Sequence, residues 1–171
     1  MSAADRSNAT LADDFLDCIE LLNAHRVTYI LVGGYAVGWH GVVRATGDID
    51  FFFEQTANNV AALCAALREF GAPEHLIDPA FLMTPNAVMQ IGLAPVRIDL
   101  LAAITGVTFA EAHAGAETVE LENERLLVIG LEDLRRNKRA TGRTKDKDDL
   151  RRLSAAARRR PVEHRPDGLD A

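Results

Sequence analysis

Apolar side chains recur at three- and four-residue steps from Leu11 through Phe15, Cys18, Ile19 and Leu22. This predicts an amphipathic helix with Thr10 as its N-cap and Asp13 in its first turn. The period then changes. "VTYILVGG", residues 27–34, is a β-branched and aromatic run that stops at Gly33 and Gly34, as a buried strand does. "YAVGWHGVV" suits a short helix weakened by Gly38 and Gly41, and "DIDFFFE" from residue 48 is a second strand. Residues 57–70 carry Val60, Leu63, Leu67 and Phe70 on one helical face and meet a stop at Gly71. "AVMQIGL" and "VRIDLLA" read as two strands joined by a tight turn at Ala94-Pro95. A helical turn over 107–115 and the short strands "ETVEL" and "RLLVIG" follow. From Leu131 to about residue 157 the pattern is helical, with a break near Gly142. These elements predict an α+β fold: a mixed, twisted sheet with flanking helices and a C-terminal helical segment over 131–157. The expected domain is 10–157, with polar, flexible ends at 1–9 and 158–171.

Composition sets bounds on that picture. A chain of 171 residues suffices for one domain, and a domain of that size buries about 70% of its unfolded surface without needing disulfides. Cys18 and Cys64 sit in helical apolar patterns, as buried thiols of a reducing cytoplasm do. The five histidines show no paired ligand spacing, which argues against a histidine zinc site. The N-terminus lacks a signal-peptide pattern, and no apolar run approaches the ~18 residues of a membrane span. The expected location is therefore cytoplasmic, with no membrane partner. The net charge of −6 argues against long nucleic acid held by general electrostatics.

Asp48 and Asp50 are the chemically informative pair. In a strand, residues i and i+2 share a face, so both project together while Ile49, Phe51 and Phe53 face the core. By the same alternation Asp99 lies opposite Val96, Ile98 and Leu100. If the two strands are neighbours, three carboxylates converge. Read singly, Asp48 is a loop cap and Asp99 an edge-strand charge. Read together, they form a cluster whose members raise one another's pKa unless a cation intervenes. Oxygen donors with few histidines favour Mg²⁺ or Mn²⁺, and a pair of such ions about 3.5–4 Å apart activates an attacking oxygen and stabilises a leaving phosphate. Gly33 and Gly34, at a strand-to-helix junction, let backbone approach a phosphate closely.

"VGG", a spacer over residues 35–47 and "DIDF" resemble the signature of the polymerase-beta-like nucleotidyltransferase superfamily. "RIDLL" resembles the strand that carries the family's third carboxylate. "RATGDID" resembles the Arg-x-Thr-x-Asp-x-Asp form of a small bacterial branch that includes the abortive-infection nucleotidyltransferase toxins. In that branch a lysine ends one helix and Arg-x-Lys-Asp-x-x-Asp-Leu opens the next; here these are Lys138, Arg143, Lys145, Asp146, Asp149 and Leu150. The likeness runs from about Tyr29 to Leu153. Asn137 stands where a methionine often precedes the lysine, and residues 71–90 match nothing in the pattern.

The resemblance implies a metal-dependent enzyme that moves a nucleoside monophosphate from a nucleoside triphosphate to a hydroxyl acceptor, with release of pyrophosphate. Asp48, Asp50 and Asp99 would be the catalytic and metal-binding carboxylates, with Mg²⁺ or Mn²⁺ as cofactor. Gly33, Gly34, Arg44, Thr46, Lys138, Arg143 and Lys145 would bind the nucleotide. Arg44 either reaches a phosphate or shapes its loop; Thr46 either orients Asp48 or does the same. The basic residues near position 140 either neutralise phosphates or form a solvated helix face, the reading that suits Lys147, Arg151 and Arg152. Trp39 reads as core, and His40 has no role. The acceptor stays open among a small molecule, a protein and a tRNA end. A toxin would have an antitoxin as a further partner, and a catalytically weak nucleotide-binding module is the remaining alternative.

Overall fold

The computed structural model describes residues 12–159. The expected flexible ends, apart from residues 158 and 159, and the proposed cap Thr10 lie outside the described residues. The first helix, α1 (Asp13–Ala24), has Ala12 at its N-cap without a side-chain bond, and Asp13 and Asp14 in its first turn. The strands are β1 (Tyr29–Val32), β2 (Asp48–Phe53), β3 (Val88–Leu93), β4 (Val96–Leu101), β5 (Glu117–Leu121) and β6 (Glu124–Val128). The remaining helices are α2 (Gly33–Trp39), α3 (Ala57–Phe70), α4 (Pro79–Leu82), α5 (Phe109–Ala114), α6 (Leu131–Thr141) and α7 (Thr144–Arg159).

The six strands form one mixed sheet in the order β3-β4-β2-β1-β6-β5. β2 and β4 run parallel, as do β1 and β6, and the other neighbours are antiparallel. β4 lies inside the sheet, which corrects the reading of Asp99 as an edge-strand charge. The alternation along β2 is as the pattern demands: Ile49, Phe51 and Phe53 are buried to the last atom. Tyr29, paired with Phe53 and so on the same face, stacks edge-on against Phe51 and donates its hydroxyl to Asn23 of α1 at 3.0 Å. α1 therefore covers that face, packed against α3. The opposite face carries Asp48, Asp50 and Asp99.

Local signals fix the helix ends. Thr56 caps α3 by accepting from the Asn59 amide at 3.3 Å, and Gly71 ends it with φ 85°. Asn59, almost fully buried, spends its amide on Thr28 and Glu54 backbone, which ties the start of β1 to the end of β2. Gly142, with φ 64°, breaks the C-terminal segment into α6 and α7. Residues 71–90, which match nothing in the family pattern, hold a 3-10 turn (Glu74–Leu76), α4, capped by Asp78, and the start of β3. One expectation shifts: Gly33 and Gly34 form the first turn of α2 and do not precede it. Cys18 and Cys64 are buried and unpaired, and burial pushes the Cys18 thiol up to about 12. No helix of the described residues is long and apolar enough to cross a membrane.

Candidate functional site

The parallel register of β2 and β4 sets Asp50 directly beside Asp99 and Asp48 beside Arg97. The carboxylates of Asp48, Asp50 and Asp99 each offer an oxygen within 4.8 Å of the others. Two glycines make room for this group. Gly33 has φ 66°, and a Cβ there would lie 1.9 Å from Asp50 Oδ2. No other residue type fits, on either backbone or steric grounds. A Cβ on Gly34 would meet Thr46 Oγ1 at 2.6 Å and Arg44 Nη2 at 3.1 Å. The Gly34 amide also donates to the Asp50 carboxylate. Thr46 donates from its hydroxyl to Asp48 Oδ1 at 2.9 Å, so it does hold that carboxylate.

Electrostatically the cluster is strained toward neutrality. Burial, then the charges of Asp48 and Asp99, push the Asp50 carboxyl up to about 6, against the opposing pull of the Gly34 amide and Lys138. A divalent cation fits this donor set: three hard carboxylates, close together, Asp48 and Asp50 partly buried and Asp99 buried, with no thiolate or imidazole among them.

A second cluster lies next to the first. Lys138 of α6 is buried, with its ammonium 2.9 Å from Asp146 Oδ1 and 3.0 Å from Asp149 Oδ2. Arg44, in the loop before β2, sets Nε 3.0 Å from Asp149 Oδ1. Arg143 donates from Nε to Asp146 Oδ2 at 2.7 Å and is otherwise exposed. Burial alone would raise the Asp146 carboxyl; hydrogen bonds from Arg143, Lys138 and Thr141 outweigh it and hold the group well below the usual carboxylate range. The structure thus brings Lys138, Arg143 and Arg44 together, and it buries Lys138 where the sequence leaves open a solvated face. Lys145 is exposed on α7. Arg151 pairs with Asp148 on the exposed face, and Arg152 donates to the Val43 carbonyl.

Sequence reasoning missed two residues. Arg97 shares the triad's face because it stands two positions before Asp99, the same alternation that finds Asp50 from Asp48. It pairs with both Asp48 and Asp99. Gln90 of β3 faces Asp99 across the antiparallel register and donates to its Oδ2 at 3.3 Å; only knowledge of the strand pairing would have found it. Trp39 packs partly buried against the core and donates from Nε1 to Glu117 at 3.1 Å, and His40 donates to the Ile129 carbonyl at 2.8 Å. A cavity of about 750 Å³ between Phe52, Ala102, Val107, Phe109 and His113 includes none of the three carboxylates.

The profile of a protein family described as "Nucleotidyl transferase of unknown function (DUF2204)" matches residues 12–165, a span that contains the whole triad, the diglycine and the second cluster. The chain belongs to this nucleotidyl transferase family. Solved structures agree at the level of the fold. The crystal structure of TM1012 from Thermotoga maritima superposes with a TM-score of 0.57 at 13% identity, over 86% of this chain and 97% of that one. The lincosamide antibiotic adenylyltransferase LnuA, bound to lincomycin, gives 0.54 at 15% identity, over 87% of this chain and 99% of that one. No curated protein matches. In this family member the acidic triad stands on β2 and β4, on the sheet face opposite α1, with the basic groups on the loop and helices beside it.

Proposed function

We propose that the protein transfers a nucleoside monophosphate from a nucleoside triphosphate to a hydroxyl-bearing acceptor and releases pyrophosphate. The convergence of Asp48, Asp50 and Asp99 within 4.8 Å carries this reading. Asp48 and Asp50 would hold Mg²⁺ or Mn²⁺, with Asp99 as a further ligand. A bound divalent ion would supply charge to the triphosphate and lower the barrier to attack at its α-phosphorus. The chain's own residues supply the rest. Asp99 takes the proton of the acceptor hydroxyl. Gly33 and Gly34, lacking side chains, let the β1–α2 backbone come close to the phosphates, and Thr46 keeps Asp48 in place. Arg44, against Gly34, and the exposed Arg143 and Lys145 meet the phosphate oxygens, while buried Lys138 adds its charge at short range. Such a site works mainly by positioning and charge stabilisation, as phosphoryl transfer requires.

The likeness to LnuA, whose structure holds a small antibiotic, supports a small hydroxyl-bearing molecule as acceptor. A second reading has its own support. The two segments that resemble the abortive-infection branch touch each other through Arg44 and Asp149. On that reading the acceptor is a tRNA end or a protein, and the chain is a toxin with a cognate antitoxin. The test is incubation with each labelled nucleoside triphosphate, Mg²⁺ and cell extract, with Asp48→Asn as control. Label transferred to a discrete species by the parent and not by the variant is expected, and its identity separates the two readings. Absence of label in every arm, with each triphosphate intact, would overturn both.

A further inference from the structure

Arg97 spans the gap between two of the three carboxylates. Its Nε donates to Asp99 Oδ1 at 2.8 Å, and its Nη2 donates to Asp99 Oδ2 at 2.9 Å and to Asp48 Oδ2 at 2.9 Å. The contact with Asp99 is the two-pronged fork that only arginine makes with a carboxylate. Thr46 takes the other oxygen of Asp48, and Gln90 adds a second donor on Asp99 Oδ2. All four oxygens of Asp48 and Asp99 therefore accept hydrogen bonds from the protein. Asp50 differs. It accepts from the Gly34 amide, and among the described residues no side chain donates to it.

We infer that Arg97 and a divalent cation exclude each other at Asp99. The inference rests on the proposed metal-dependent transfer and concerns how its site is loaded. A Mg²⁺-sized ion needs carboxylate oxygens at about 2.0–2.1 Å, and on Asp99 it would stand within a few ångströms of the guanidinium that contacts both oxygens at 2.8 and 2.9 Å, where the two positive charges repel. An ion held by Asp50 and by Asp48 Oδ1, whose partner is the neutral Thr46 hydroxyl and not Arg97, leaves the fork on Asp99 intact. An ion that also takes Asp99 must turn Arg97 out, and the side chain, 33% exposed, has solvent to turn into. The three carboxylates thus offer one cation position that is open and a second that is conditional. While the fork is closed, both oxygens of Asp99 are engaged by Arg97. Arg97 is on this account a positioning residue that keeps Asp99 out of use until the site is fully loaded.

Mn²⁺ alone, titrated into the full chain and followed by the electron paramagnetic signal of the free ion, tests this. The parent should bind one Mn²⁺ readily and a second at least tenfold more weakly. Arg97→Gln should tighten the second by tenfold or more, Arg97→Lys by less, and the rise in melting temperature on adding Mn²⁺ should be larger in Arg97→Gln than in the parent. Isotherms for the parent and Arg97→Gln that superimpose, or a weaker second site in the variant, would overturn the inference while leaving the metal reading intact, provided Asp48→Asn abolishes binding in both. Binding that Asp48→Asn does not affect, or no binding, overturns the metal reading and this inference together. If Arg97→Gln does not fold, Arg97→Lys decides, and an isotherm identical to the parent's overturns the inference.

Discussion

Asp50→Asn should make the protein more stable at neutral pH in EDTA and leave its stability nearly unchanged in acid. Burial first, and then Asp48 and Asp99, lift the Asp50 carboxyl from 3.8 to about 6. A carboxyl raised in the fold favours its protonated form there. Its contribution to stability is complete below about pH 4 and is lost as the pH rises through about 6. The shift of about two units corresponds to a penalty of up to about 3 kcal/mol once Asp50 is ionised. Asparagine is nearly isosteric, keeps an oxygen to accept from the Gly34 amide, and carries no charge. The gain at pH 7.5 should raise the melting temperature by roughly 5–10 °C for a domain of this size. Calorimetry of parent and variant at pH 4 and pH 7.5, both in EDTA, reads the difference of differences. An equal shift at the two pH values, or a loss at pH 7.5, would show that neither burial of the Asp50 charge nor its carboxylate neighbours govern this site.

Gly33→Ala combines a left-handed backbone with a Cβ placed 1.9 Å from Asp50 Oδ2; it should cost at least about 2 kcal/mol and weaken Mn²⁺ binding tenfold or more, read by denaturant unfolding and metal titration. Lys138→Met leaves Asp146 and Asp149 buried without their shared ammonium and should destabilise by about 3–5 kcal/mol, which a urea melt measures. On the small-acceptor reading, acceptor affinity should stay nearly flat with salt, because the cations around residue 140 are taken up by Asp146, Asp149 and the nucleotide; a protein tracking 6–10 backbone phosphates would lose about 10³–10⁵ between 50 and 200 mM, and a slope that steep would shift the reading to RNA.

Features governed by near neighbours in the chain were readable from the sequence. The strand alternation at Asp48 and Asp50 and the helix from Ala57 to Phe70 depend on residues within one or two turns, and the structure places both as the pattern predicts. Strand order was not readable, because pairing is set by contacts distant in sequence. That is why the convergence of Asp99 with Asp48 and Asp50 was conditional on β2 and β4 being neighbours, which they are. Gly33 and Gly34 read as the end of the strand, since glycine punctuates strand patterns; they form the first turn of the helix here, where Asp50 and Thr46 occupy the space of their missing side chains. Arg97 was overlooked for a different reason. A charged residue beside an acidic one in a short strand looks like ordinary solvent polarity, and its link to Asp48 appears only with the β2–β4 register.

The C-terminal helices show why composition alone misleads about burial. α6 and α7 are strongly polar, yet their facing sides bury Leu134, Leu153, Lys138, Asp146 and Asp149. An apolar seam would hold such helices at least as firmly, since buried ion pairs gain little net stability over well-packed hydrophobic residues. What ion pairs add is direction. Asp149 meets Lys138 through Oδ2 and Arg44 through both oxygens, so the position of α7 fixes the position of the loop that carries Arg44 and Thr46. Thr46 in turn holds Asp48. A slip of one residue along α7 would leave two buried charges unmatched, whereas an apolar seam would tolerate it by repacking. The polar interface therefore passes the register of a distant helix to a carboxylate that must stand within a few ångströms of two others, and this accounts for charge in a place where apolar side chains would have sufficed for stability.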